Sequence, residues 1–238
     1  MATVLITGAS SGIGRQLARD YAADGWDVLA CGRDPERLEA VASDKIQPLS
    51  FDVMDVEGAR RALTECPRPD MVILNAGTCE YLDVENWDGE AFDSVVATNL
   101  IGISHCLGPL LPRLQSGSTL ALVDSLARLL PFTRAEAYGA SKAAVHYLTQ
   151  TLAVDLEPRG VRVVAISPGF VETPLTDRNT FDMPTLMPVE EASERIRQGL
   201  ASRRRFIAFP RRLHWTLTLL SWLPKGLKIR ICQWMKRP

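Results

Sequence analysis

The 238-residue sequence predicts an α/β fold in which a doubly wound parallel sheet of about seven strands carries helices on both faces. Short apolar runs alternate along the chain with longer stretches of helical spacing, which is typical of successive βαβ units. A glycine-rich turn also joins the first apolar run to a helical stretch. Because a chain of this length can bury one sizeable core, we expect a single domain.

The predicted strands are short runs rich in β-branched and other apolar residues. They cover residues 3–7, 27–31, 46–51, 71–74, 118–124, 161–167 and 206–209. Helical patterns follow most of them. Two apolar stripes, one from Trp87 to Val96 and one from Val145 to Leu156, are interpreted as core or dimer-helix packing.

The first turn has the composition of a nucleotide site. It reads Gly8-Ala9-Ser10-Ser11-Gly12-Ile13-Gly14 and leads into a helix predicted to run to about Asp24. Glycines let the backbone approach a pyrophosphate, and the helix N-terminus supplies amide donors. Glycines also occur in ordinary turns, so the preceding strand is what makes a nucleotide site the favoured interpretation.

A second group of residues suits proton transfer. Tyr138 and Lys142 are four residues apart, which places their side chains about 5–6 Å from one another on one helix face. A neighbouring cation favours the phenolate and is expected to lower the pKa of Tyr138. Ser125 follows a strand and should lie at the carboxyl edge of the sheet, where open α/β sheets bind ligands. Such a Tyr and Lys pair is common on helices and by itself does not indicate a catalytic site. The presence of Ser125 and of the glycine turn makes the catalytic interpretation the favoured one.

Over about residues 3–173 the chain resembles the short-chain dehydrogenase/reductase family. The matching residues are Gly8, Gly12, Gly14, Asp52, Asn75, Ala76, Gly77, Asn99, Ser125, Tyr138, Lys142, Pro168, Gly169, Val171 and Thr173. The interval of 13 residues between Ser125 and Tyr138 is also usual in the family. The resemblance implies a Rossmann-type catalytic domain, which we place over residues 1–210. By their own charge and apolar pattern, residues 211–238 are interpreted as a basic amphipathic extension of that domain.

The resemblance also implies individual roles. Tyr138 would be the general acid/base, and Lys142 would lower the pKa of Tyr138 and hold the nicotinamide ribose. Ser125 would orient the substrate oxygen, and Asn99 would support a water in a proton relay. The expected cofactor-binding residues are Gly8, Ser10, Ser11, Gly12, Ile13, Gly14, Arg15, Arg33, Asp52, Val53, Asn75, Ala76, Gly77, Tyr138, Lys142, Pro168, Gly169, Val171 and Thr173.

Charge near the second strand favours NADP(H) over NAD(H). An acid at the end of that strand would bind the ribose 2′-hydroxyl of NAD, but Arg33 stands there instead. Arg15 adds a second guanidinium, a group that matches phosphate well. Asp34 should point away from the ribose. The alternative is that both arginines are ordinary surface charges.

The chain departs from the family near Ser125. Asp124 stands where a small hydroxyl residue is usual, and Arg128 where glycine is usual; Arg134 and Glu136 precede Tyr138. An arginine here could recognise an acidic or polar substrate. It could equally face solvent, or pair with Asp124, Glu136 or a C-terminal partner, and the substrate therefore stays undetermined.

The C-terminus departs further. The chain lacks the Asp-Gly-Gly segment that helps many relatives form tetramers, so we expect a homodimer and doubt the tetramer. From Arg203 to Pro238 there are ten Lys/Arg and no Asp/Glu. Residues 213–223 resemble an amphipathic helix, too short to span a membrane. It would either lie in a membrane interface or, the slightly favoured alternative, pack on its own domain, cover the pocket or meet a second subunit.

Composition restricts the remaining possibilities. Five scattered cysteines and no signal-like N-terminus favour a cytoplasmic protein, peripheral to the inner face of a membrane if the C-terminal helix binds lipid. No histidine has ligand spacing, so no metal is expected. No nucleic-acid motif accompanies the basic residues.

Together these features predict an NADP(H)-dependent oxidoreductase that interconverts a carbonyl and a secondary alcohol on a small, lipophilic substrate. The alternative is a catalytically idle protein that senses NADP(H) or serves as an interaction module on the same fold. The complete set of Asn99, Ser125, Tyr138 and Lys142 argues against that alternative.

Overall fold

The computed structural model describes residues 2–179 and 183–235. Seven strands form one sheet: β1 (Thr3–Thr7), β2 (Asp27–Gly32), β3 (Ile46–Ser50), β4 (Met71–Leu74), β5 (Thr119–Val123), β6 (Arg162–Pro168) and β7 (Phe206–Phe209). Their order is β3-β2-β1-β4-β5-β6-β7, and every pair is parallel. The doubly wound sheet predicted from the sequence is confirmed, and strand ends differ from the prediction by one residue at most.

Helices connect the strands. They are α1 (Gly12–Ala23), α2 (Pro35–Glu39), α3 (Val56–Glu65), α4 (Gly89–Val96), α5 (Gly102–Leu110), α6 (Glu136–Leu156), α7 (Val189–Ala201), α8 (Arg211–Ser221) and α9 (Lys225–Met235). A π-helical segment, Ala97–Ile101, joins α4 to α5. The stripe expected from Trp87 is only partly helical, because α4 begins at Gly89 and Trp87 lies before it, 52% exposed.

The two faces of the sheet carry separate cores. Side chains alternate along a strand, so Val4 and Ile6 of β1 pack into one core and Leu5 into the other. Helices α1 and α7 cover the first face, whereas α3, α5 and α6 cover the second. This double coverage explains why the strands are apolar throughout rather than alternating.

The helical stretch Gly89–Arg113 is long and apolar enough to cross a membrane by length and composition alone. Its side chains Val95, Ile103 and Leu110 are nevertheless buried inside the protein, and α5 packs against α3. We therefore interpret the stretch as a core helix whose apolar side chains pack into the core beside the sheet.

The C-terminal segment contains two helices where the sequence predicted one. The single helix expected over residues 213–223 is α8, and α9 follows beyond Pro224, whose carbonyl accepts the amide of Lys228 at 3.0 Å. A proline lacks the amide needed in a helix interior but is tolerated where a helix starts, which explains the break. Lys236, Arg237 and Pro238 lie outside the described residues.

Candidate active site

The glycine turn has a geometry that only glycine allows. Gly8 and Gly12 have positive φ angles of 68° and 50°. A Cβ added to Gly14 would lie 2.3 Å from the carbonyl oxygen of Gly8, so α1 and the turn pack without room for a side chain. Both features leave backbone amides at the start of α1 open to a close approach by an anion.

Hydrogen bonds attach this turn to the neighbouring strand end. The hydroxyl of Thr7 accepts the amides of Asn75 and Ala76 at 2.9 and 3.0 Å, and Asn75 Nδ2 donates to the Thr7 carbonyl at 3.1 Å. The segment Asn75-Ala76-Gly77 therefore lies beside the turn, as a shared cofactor site requires. Val53 and Ala76 further line a small cavity together with Ile103.

The end of β2 also meets the turn. The amide of Ala9 donates to the Cys31 carbonyl at 2.9 Å, and a Cβ on Gly32 would be 3.4 Å from Ser10 Oγ. Arg33 follows directly and is exposed, as is Arg15 on α1.

The two acids near this strand end serve local turns. Asp34 caps α2 by accepting the amide of Arg37 at 3.1 Å. Asp52 accepts the amide of Met54 at 2.9 Å. Each carboxylate is thus occupied by a backbone donor of its own turn.

Asn99 is fully buried in the π-helical segment. Its Oδ1 accepts the amide of Thr78 at 2.7 Å, while Nδ2 donates to the Thr78 carbonyl at 2.9 Å and to Ser141 Oγ at 3.0 Å. A Cβ on Gly77 would lie 3.0 Å from Asn99 Oδ1 and 3.4 Å from Lys142 Nζ. Asn99 therefore joins the loop after β4 to the helix that carries Tyr138 and Lys142.

The proposed proton-transfer residues converge on one cleft. Ser125 follows β5, and its hydroxyl accepts the amide of Ala127 at 3.1 Å. Lys142 Nζ donates to the Val123 carbonyl at 2.9 Å and lies 5.8 Å from the ring centroid of Tyr138. The cleft is lined by Ile13, Asn75, Gly77, Ser125, Tyr138, Lys142, Pro168, Gly169, Val171 and Thr173 among the expected residues.

The pKa of Tyr138 differs from the expectation. The sequence suggested that Lys142 lowers it, whereas in this structure the pKa is raised to about 12. Burial is the largest cause because it penalises the phenolate; Cys79 and Asp124 add to the rise and the hydrogen bond with Ser125 opposes it. Burial also lowers the pKa of Lys142 to about 8. A smaller fraction of Lys142 is then protonated and able to stabilise a phenolate at Tyr138.

Arg128 contacts Asp124 and Phe206. Its Nε lies 3.4 Å from Asp124 Oδ2, and its guanidinium carbon lies 5.9 Å from the ring centroid of Phe206 on β7. Arg128 therefore pairs with Asp124 and with Phe206 from the C-terminal part of the chain, which is one of the alternatives that the sequence left open. Arg134 has a positive φ of 63° and uses its backbone carbonyl to accept the amide of Leu82 at 3.1 Å.

Sequence analysis missed Leu175 and Thr176, which also line the cleft. The Thr176 hydroxyl donates to the Val171 carbonyl at 2.6 Å and accepts the amide of Thr173 at 3.0 Å, and so fixes the turn after β6. A Thr three residues after Thr173 is a local signal for such a side-chain turn, although a weak one.

Comparisons with known proteins agree with this geometry. A family model described as short chain dehydrogenase matches residues 2–183. An uncharacterized oxidoreductase of Myxococcus xanthus is 34% identical over 237 residues, covering 94% of each chain. A serine 3-dehydrogenase of Agrobacterium fabrum is 36% identical over 185 residues, covering 73% of this chain and 74% of the relative.

A solved structure extends the likeness to three dimensions. It is a short-chain dehydrogenase from Sphingobium yanoikuyae in complex with NADPH, 26% identical, with a TM-score of 0.80 over 95% of this chain and 98% of that one.

Proposed function

The chain belongs to the short chain dehydrogenase family, and from this premise we propose that it is an NADP(H)-dependent oxidoreductase that interconverts a carbonyl and a secondary alcohol on a small, lipophilic molecule. The observation that carries the proposal is the convergence of Ser125, Tyr138 and Lys142 on the cleft that Ile13 of the glycine turn also lines. A cofactor held by the turn would then face the residues that move the proton.

The residues fit a dinucleotide phosphate. The glycine turn offers a cradle that a Cβ at Gly14 would fill, and two exposed arginines, Arg15 and Arg33, suit an additional phosphate. The solved short-chain dehydrogenase from Sphingobium yanoikuyae, which is in complex with NADPH, supports the same cofactor. When bound, the nicotinamide would exchange a hydride with the carbonyl carbon.

Protein groups would handle the oxygen and the proton. The Ser125 hydroxyl would hold the substrate oxygen, and the Tyr138 phenol would donate its proton to that oxygen as negative charge develops. A pKa of about 12 keeps Tyr138 protonated at neutral pH, which suits it to act as the acid in carbonyl reduction. Asn99 would hold the loop after β4 against α6 through its hydrogen bonds with Thr78 and Ser141.

A lipophilic substrate is supported by the side chains around the cleft. Leu175, which is not among the expected cofactor-binding residues, lines it, and the loop after Ser125 contributes the apolar residues Leu126 and Leu130 to the neighbouring core. Arg128, the cation nearest to Ser125 along the chain, is committed to Asp124. These contacts favour recognition through apolar burial rather than through an ion pair.

The test is turnover by the purified protein. We expect NADPH oxidation with at least one member of a series of aldehydes and ketones of increasing chain length, with kcat/KM rising with apolar surface. A protein that binds NADPH tightly but turns over no carbonyl or alcohol would instead be the idle NADP(H)-binding protein, and the proposal would be abandoned.

We also propose that the enzyme is cytoplasmic and works as a homodimer. Tyr147 and Val154 on α6 are 69% and 73% exposed, although both are large apolar residues. Seven positions apart, they share one helix face, and an exposed apolar face of this kind suits a contact between two copies. Light scattering of wild type should give a dimer, and Tyr147→Ser with Val154→Ser should shift it toward monomer.

A further inference from the structure

The two C-terminal helices present an apolar surface to solvent. It comprises Trp215 and Leu219 on α8 and Trp222 directly after it, which are 53%, 58% and 73% exposed. On α9, Leu227 and Trp234 are exposed as well, the latter at 71%. We call these five side chains the C-terminal surface. Three exposed tryptophans within twenty residues are unusual, because exposed apolar groups of this size generally mark an interaction site.

Packing of α8 on its own domain explains only its other face. Leu213, Leu217 and Leu220 pack against Leu126 and Leu130 of the loop that follows Ser125. This face of α8 therefore packs on its own domain, which is one of the alternatives that the sequence left open. The C-terminal surface lies on the remaining side, where burial against the domain does not account for its tryptophans.

The charge around the C-terminal surface indicates the kind of partner. Arg211 and Arg212 at the start of α8 and Lys225 and Arg230 on α9 are exposed. All 28 acidic residues of the chain precede residue 203. A basic surface that carries tryptophan suits the interface of an anionic phospholipid bilayer, where indole rings sit at headgroup level and cations attract acidic lipids.

Self-association is less well matched to the same surface. In a symmetric dimer the surface would meet its own copy and bring four or more cations of each chain together. A contact with an acidic face elsewhere on the protein would be head-to-tail and would form rings or filaments. A lipid surface satisfies both the charge and the apolar area without either consequence.

Helix length excludes a spanning arrangement. Each helix has 11 residues and is roughly 16 Å long, about half of the hydrocarbon thickness of a bilayer. Helices of this length with one apolar face lie in the plane of the interface.

We propose that the C-terminal surface docks the protein on anionic phospholipid membranes, with α8 and α9 lying in the interface. Helix α8 adjoins the cleft through its packed face, because a Cβ on Gly169, which lines the cleft, would be 3.0 Å from Leu213 Cδ2. Docking would therefore hold the cleft near the lipid. The proposal stands on the exposed residues and their charge, and does not depend on the reaction that the cleft carries out.

The test is flotation of the full-length protein with vesicles of phosphatidylcholine alone and of phosphatidylcholine mixed with phosphatidylglycerol. We expect binding to the mixed vesicles at low salt, release at high salt, and little binding to phosphatidylcholine alone. Trp215→Ser with Trp222→Ser should weaken binding by tenfold or more. Trp87→Ser is the matched control, since Trp87 is 52% exposed and lies far along the chain from this surface.

Charge variants and a depth probe complete the test. Arg211→Gln, Arg212→Gln and Arg230→Gln should each weaken binding roughly fivefold, whereas Arg19→Gln and Arg61→Gln, exposed on α1 and α3, should not. Brominated lipid should quench wild-type tryptophan fluorescence more strongly than that of the Trp215 and Trp222 double variant, which keeps only Trp234 on this surface.

Three outcomes would overturn the proposal. The first is full-length protein that stays in the soluble fraction at low salt. The second is equal binding to both vesicle types. The third is a double variant that loses a subunit contact in light scattering while it floats as wild type does, which would make the surface a contact between copies.

Discussion

Nδ1 of His146 lies 2.5 Å from Oδ2 of Asp124, immediately behind the strand end that carries Ser125. The other carboxylate oxygen, Oδ1, accepts the hydroxyl of Ser167 on β6, and Arg128 pairs with Oδ2. Asp124 is thus a fully buried carboxylate held by three side chains from three parts of the fold. Its charge raises the pKa of both Lys142 and Tyr138.

This arrangement predicts that Asp124→Asn alters the pH dependence of turnover. The pKa of Lys142 is already lowered to about 8 by burial, and Asp124 opposes that shift. Without the carboxylate the pKa of Lys142 should fall further. If protonated Lys142 supports turnover, activity is lost as pH rises through its pKa, so the alkaline limb of kcat/KM should move to lower pH.

The measurement is a pH profile of kcat/KM for wild type, Asp124→Asn and Asp93→Asn, the last an exposed aspartate on α4. The control should retain the wild-type limb. An unchanged limb in Asp124→Asn, with a lower rate at every pH, would mean that the carboxylate only maintains the fold.

Tyr138→Phe should reduce kcat by about 10²–10⁴-fold and leave NADPH binding intact. Phenylalanine preserves the ring and removes the hydroxyl that would donate the proton. Steady-state rates and NADPH titration on the same preparation test both parts. Turnover close to wild type in the pure variant would rule out Tyr138 as the proton donor.

Arg33→Ala should weaken NADPH binding by about 1.5–3 kcal/mol, or roughly ten- to hundredfold in Kd. NADH binding should hardly change, because NADH lacks the 2′-phosphate. Arg19→Ala, an exposed arginine farther along α1, serves as the control in the same titrations. Equal losses for both cofactors, or a wild type that prefers NADH, would contradict the NADP(H) assignment.

Gly14→Ala should destabilise the fold by about 1–3 kcal/mol and weaken NADPH binding, because its Cβ would lie 2.3 Å from the Gly8 carbonyl oxygen. Gly108→Ala is the matched control. Gly108 is a helical glycine of α5 with nothing within 4 Å of an added Cβ, so alanine there should stabilise by up to about 1 kcal/mol. Thermal unfolding and NADPH titration compare the two. The steric argument fails if Gly14→Ala is as stable as Gly108→Ala.

The sequence alone determined the features that depend on neighbours along the chain. Apolar runs predicted all seven strands, because a strand covered on both faces must be apolar at nearly every position. Tyr138 and Lys142 could be placed on one helix face from their spacing, and the glycines could be placed in a tight turn after β1.

Tertiary structure decided the features that depend on segments distant along the chain. Arg128 pairs with Asp124 rather than being available for a substrate. His146 and Ser167 also contact Asp124, and Phe206 contacts Arg128, but no local sequence pattern shows that these residues meet. The pKa of Tyr138 rose rather than fell because burial outweighed the hydrogen bond with Ser125, and burial is set by every element packed around the ring. The same holds for α8, whose amphipathic pattern predicts a helix but does not say which apolar side chains the domain covers and which it leaves exposed.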